Sequence, residues 1–128
     1  MFWKPLAAIT VFMLPIVAWT PRTAAPKLIS IKMVDVSPTA YKFEPSAITA
    51  NAGDTLHFSM SGAMPHNVEF RATPAGANLG AAKTGPYLTK AGDSYDLVLD
   101  GRFPAGEYQF VCVPHEPLGM KATLTVQP

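Results

Sequence analysis

The chain has 128 residues, enough for one buried core and too few for two ordinary domains. Its ten basic and nine acidic side chains nearly cancel, and the basic ones stand singly, so no stripe is available to neutralise phosphates and nucleic acid is excluded as a partner. A lone cysteine, Cys112, rules out an internal disulfide framework.

Residues 1–25 differ from the rest. Lys4 is the one charge ahead of an apolar run from Leu6 to Ala18, which contains Pro15 and falls short of the roughly 20 apolar residues that a membrane-crossing helix needs. The segment is expected to be a cleaved export signal, with Ala18 and Ala25 as competing cut sites; a retained membrane anchor is the alternative. Its removal leaves a domain of residues 26–128 with eight basic and nine acidic side chains, a formal charge of −1. Export puts that domain in the periplasm or another extracytoplasmic compartment, where an unpaired thiol needs an explanation.

The remainder breaks into short apolar runs punctuated by turn residues, and 13 prolines and 9 glycines in the chain leave no long helical periodicity, so an all-β sandwich or barrel is expected. Candidate strands are Leu28–Val36, Tyr41–Phe43, Ala47–Ala50, Thr55–Met60, His66–Phe70, Ser94–Leu99, Glu107–Cys112 and Lys121–Val126. Ala52-Gly53-Asp54, Ala91-Gly92-Asp93 and Pro104-Ala105-Gly106 supply turns just before strands. The segment between Phe70 and Ser94 is loop, with room for one short helix near 75–82.

Strand side chains alternate faces, so parity says which of them point together. Cys112 shares parity with Tyr108 and Phe110, Met120 with Ala122, Leu124 and Val126, and His66 with Val68 and Phe70, so all three are expected on inner faces. Asn67 and Glu69 fall on the opposite side. Cys112 to Met120 would span about 26 Å if extended, but Pro114, Pro117 and Gly119 favour a reversing loop that carries His115 back towards both flanking residues. One thiolate, two imidazoles and a thioether form the ligand set of a mononuclear type 1 copper site, with cysteine and histidines in a trigonal plane and methionine axial. Zinc fits less well, because its usual fourth ligand is not a thioether. The expected metal ligands are therefore His66, Cys112, His115 and Met120, around one copper ion.

The run Cys112-x2-His115-x4-Met120, preceded by His66-Asn67-Val68, resembles the small blue-copper proteins, the cupredoxins of the plastocyanin and pseudoazurin kind. Tyr41-Lys42-Phe43-Glu44-Pro45, Ala52 to Phe58 and Gly106 to Phe110 resemble the family's strands, so the likeness covers roughly Leu28 to Val126. It implies an all-β, Greek-key β-sandwich of seven to eight strands and a monomeric one-electron carrier shuttling Cu(I)/Cu(II) between extracytoplasmic redox proteins. It also implies that His115 is the point where electrons arrive and leave, and that Met64, Pro65, Pro114, Pro117 and Leu118 form an apolar docking patch around it. One departure is Val113, where relatives often carry a serine or threonine that can interact with the asparagine after the first histidine. Asn67 is then expected to tie the two ligand loops together through backbone groups.

Taken singly, a core histidine, a surface-loop histidine and a core methionine would explain His66, His115 and Met120 without any metal; their combination favours a site. His57 alternates with Leu56, Phe58 and Met60 and is read as an outward side chain. Tyr108 is expected to be a packed core tyrosine rather than an electron relay. Met60 and Met64 are read as apolar residues rather than a copper(I) transfer patch. A copper carrier or storage protein is the alternative function. A copper enzyme would need further histidines, and only His57 is left over; a Cys112–His115 nucleophile pair would lack an oxyanion-binding element and leave Met120 without a role.

Overall fold

Period-two burial is what builds this fold, and β4 (Thr55–Met60) shows it plainly: Leu56, Phe58 and Met60 are buried while Thr55, His57 and Ser59 are partly exposed. The computed structural model describes residues 23–128, together with Met1, Pro15, Val17, Ala18 and Thr20. Residues 1–25, expected to be an export signal, therefore lie mostly outside the described residues.

The other strands are β1 (Leu28–Ser37), β2 (Ala40–Glu44), β3 (Ala47–Asn51), β5 (Glu69–Ala72), β6 (Ser94–Val98), β7 (Gly106–Val111) and β8 (Lys121–Gln127). They form two four-stranded sheets, ordered β2-β1-β4-β6 and β3-β8-β7-β5. Each sheet is mixed, with β1 parallel to β4 and β3 parallel to β8 among otherwise antiparallel pairs. Ile31, Met33, Phe43, Leu56 and Phe58 from one sheet face Ile48, Phe70, Tyr108, Phe110 and Leu124 from the other across a single core. Phe110 lies at its centre, edge-on to Phe43 at 4.9 Å and to Phe58 and Phe70 at 5.6 Å between centroids. Tyr108 belongs to this core as expected, its hydroxyl donating to the Pro104 carbonyl at 2.6 Å.

One local expectation needs correction. The fifth strand begins at Glu69, and His66 makes only an isolated two-bond bridge with Leu88. His66, Asn67 and Val68 are all buried in succession, without the alternation of a strand that has one face open to solvent, so Asn67 does not face outward. In the region 75–82 the short helix is a 3₁₀ turn at Gly80–Lys83. Gly76 and Gly80 take positive φ angles of 84° and 53°, which interrupt any helical run across it.

Candidate metal centre

The site lies at one end of the sandwich, where three segments leave their strands together. His66 sits on the crossover from β4 in one sheet to β5 in the other, its backbone fixed by the paired bonds to Leu88 of 3.0 and 2.8 Å. Cys112 follows β7 and Met120 precedes β8, and the hairpin between them is closed by the Cys112 amide donating to the Met120 carbonyl at 3.1 Å. Val113–Leu118 forms a 3₁₀ helix entered at a proline and ended by Gly119 at φ 83°, a conformation that side-chain-bearing residues adopt only with strain. The His115 amide donates to the Cys112 carbonyl at 3.1 Å, so the loop folds back over the thiol as its prolines and glycine suggest.

The geometry brings three of the four expected donors to one point. His66 Nδ1 and His115 Nδ1 are 3.0 Å apart, and Cys112 Sγ lies 3.6 Å from the first and 3.4 Å from the second. Groups bound about 2 Å from a single ion must lie within about 4 Å of one another, and these do. His66, Cys112 and Met120 are fully buried, while His115 keeps a 6% exposed edge. His115 is thus nearer solvent than His66, and Met120 closes the same hairpin from the core side.

Electrostatics favour the protonation state a metal needs at His115 but oppose it at Cys112. Burial and the neighbouring His66 ring hold His115 below the ordinary histidine pKa, with Asp35 opposing, so its neutral, ligating form is favoured. Burial pushes the Cys112 thiol up, while the amides of Asn67 and His115 pull it partly back, so a bound cation is what would draw off its proton. Soft sulfur with two imidazoles is the donor chemistry of copper.

Asn67 ties the two ligand segments, its Oδ1 accepting the Val113 backbone amide at 2.8 Å. Val113 therefore costs the site no tie, because the bond runs to the main chain. His57 stays outside as expected, paired with Asp96 at 2.6 Å on the outer face. Met60 is a core residue, whereas Met64 is exposed.

Two neighbours of the site were not anticipated. Tyr41 stacks on His115, with centroids 3.8 Å apart and planes 20° from parallel. Asp35 Oδ1 accepts from His66 Nε2 at 2.6 Å, on the ring edge opposite the sulfur. Parity marks both as facing inward, since Asp35 continues the row of Ile29, Ile31 and Met33 and Tyr41 shares that of Phe43, but it does not name the histidines as their partners.

Residues 31–127 match the copper binding proteins of the plastocyanin/azurin family. The chain belongs to that family. It is 41% identical over 90 residues to plastocyanin from Scenedesmus fuscus, covering 69% of this chain and 89% of that one. To chloroplastic plastocyanin from Tetradesmus obliquus it is 39% identical over 90 residues, 69% of this chain but only 60% of that longer one. The oxidized form of plastocyanin from Dryopteris crassirhizoma superposes with a TM-score of 0.60 at 30% identity, over 77% of this chain and 99% of that one. As a plastocyanin-like cupredoxin the chain is a copper protein, by family an electron carrier and not an enzyme, and its His66, Cys112 and His115 cluster fits one type 1 copper ion.

Proposed function

We propose that this protein carries electrons one at a time between extracytoplasmic redox proteins, using one copper ion held by His66 Nδ1, Cys112 Sγ and His115 Nδ1, with Met120 as the weak fourth ligand. The convergence of two imidazole nitrogens and a buried thiol within 3.0 to 3.6 Å carries this reading. Copper, when bound, supplies the one-electron chemistry by alternating between Cu(I) and Cu(II).

The residues of the chain hold the donors still and exclude water. The β7–β8 hairpin fixes Cys112, His115 and Met120, the Leu88 bridge fixes His66, and the core seals them from below. A site already organised around its donors needs little rearrangement when the charge changes. His115 keeps 6% of its surface exposed, and the exposed Met64, Pro65, Pro114, Pro117 and Leu118 are the apolar residues that would surround it. An apolar rim without strong ion pairs suits brief encounters with redox partners. Residues 1–25 would export the domain 26–128 and be removed, which accounts for the apolar run ahead of it.

Copper(II) added to the metal-free protein should give an intense visible charge-transfer band and a reversible one-electron wave in voltammetry. The band should vanish in Cys112→Ser, and a colourless wild-type protein that is correctly folded would refute the assignment. Met120→Leu should keep the band and raise the reduction potential, because a weak thioether tunes the metal more than it holds it. An unmoved potential would remove Met120 from the ligand set.

A further inference from the structure

Among the described residues, Asp35 is the one carboxylate hydrogen-bonded to either of the two histidines. It sits near the end of β1, opposite Tyr41 of β2 and beside a register shift between Asp35 and Ser37. Bulges of this kind commonly re-aim a side chain next to a site. The side chain points inward and is 21% exposed. Its Oδ1 receives His66 Nε2–H at 2.6 Å, and its Oδ2 receives the amides of Ala63 at 2.9 Å and Met64 at 3.0 Å.

The segment leaving β4 is shaped around this carboxylate. Ser61 continues the contact with β1, its amide and hydroxyl both donating to the Met33 carbonyl. At Gly62, any Cβ would lie 2.2 Å from Asp35 Cγ, so the carboxylate occupies the place of a side chain there. Four groups from Gly62 to His66 thus fit one acidic side chain, and that side chain fixes both the tautomer and the orientation of a fully buried imidazole.

We propose that Asp35 is a positioning residue of the copper site: its carboxylate locks His66 with Nδ1 towards the sulfur, and its negative charge favours copper(II) over copper(I). This rests on His66 being a ligand, as argued above. Carboxylates that accept from the far nitrogen of a ligating histidine raise the basicity of the ligand. Asp35 is partly withdrawn from water, so its charge is screened less than a surface charge would be. The more positive state of the metal gains more from such a neighbour, and the reduction potential is held down. Asp35 itself is not a ligand, because it lies across the ring from the donor atoms.

The test compares the copper-loaded full chain with Asp35→Asn, Asp35→Ala, Asp35→Glu and the remote control Asp100→Asn, by copper(II) competition titration and voltammetry. Asn and Ala should weaken copper(II) binding about 10–100-fold. The ratio of copper(II) to copper(I) affinity should fall roughly tenfold, which raises the potential by about 59 mV for one electron. Asp35→Glu, which keeps the charge, should recover much of the shift, and Asp100→Asn should show none. Asp35→Asn preserves side-chain size, so the test stands even where Ala does not fold. A potential unchanged in Asp35→Asn, or an equal rise in Asp100→Asn, would overturn the assignment. A wild-type protein without the charge-transfer band would overturn the copper reading itself, whereas a normal band with an unmoved potential counts against Asp35 alone.

Discussion

Asn67 is buried between the two ligand-bearing segments, and its one acceptor contact is the Val113 amide at 2.8 Å. Truncating the side chain leaves a partly buried donor unmet, at a cost of about 1–3 kcal/mol. Metal-free Asn67→Ala should therefore melt several degrees below wild type, since about 1 kcal/mol corresponds to 4–8 °C in a domain of this size. Val113→Thr keeps both the amide and the side-chain volume, and should stay within roughly 0.5 kcal/mol of wild type. Equal losses in the two variants, read by calorimetry, would show that packing and not this hydrogen bond joins the loops. Tyr41 acts at the same scale, its ring stacked on His115 so that one face of the loop histidine is packed.

The turn from β3 to β4 is organised by a different carboxylate. Asp54 is buried, and its side chain accepts the amides of Asn51 and Lys27, each at 2.8 Å. Those two amides, Asn51 first, hold the carboxyl below its ordinary value and outweigh the opposing effect of burial. A folded-state pKa below the unfolded one means stability that is present above the unfolded value of 3.8 and is lost as pH falls through the folded value. Metal-free Asp54→Asn should therefore be less stable than wild type at neutral pH, by roughly 1–3 kcal/mol. The gap should narrow as the pH is lowered below about 4. Urea midpoints at neutral and acid pH measure it, and a gap independent of pH would remove the carboxylate charge as the cause. The comparison isolates this turn from Asp35, where burial raises the pKa but the Met64 amide, the His66 ring and the Ala63 amide together bring it below the ordinary value.

Across the whole molecule, the core and the site share one scaffold. Phe110 has no exposed surface, meets three other phenylalanines and stands two residues before Cys112. Phe110→Ala should cost about 3–5 kcal/mol, a large part of the 5–15 kcal/mol that holds a typical domain. Copper bound to the folded state alone would return about 2.7 kcal/mol when free metal is a hundred times the dissociation constant. Urea unfolding of the variant with and without copper(II) should show both effects. A variant as stable as wild type without metal would mean that the sheets close without this ring.

Much of this protein was legible from residue order alone. Alternation in β4, β7 and β8 fixed an inner face, and with it the inward direction of Cys112 and Met120, because a strand's period is a property of the local backbone. Two prolines and Gly119 within eight residues implied a loop that brings His115 back to the thiol. His66 was placed inward by the same rule, although it lies outside any strand; its burial comes from pairing with Leu88, 22 positions away. Only the tertiary structure decided what stands behind the ligands. Asp35 meets His66 across 31 positions, Asn67 reaches Val113 across 46, and Tyr41 covers His115 from another sheet. Such contacts depend on which strands become neighbours, and period-two patterning marks a face without naming its partner. Residue order by itself named the candidate donors, whereas the packing of two sheets decided how His66 is held.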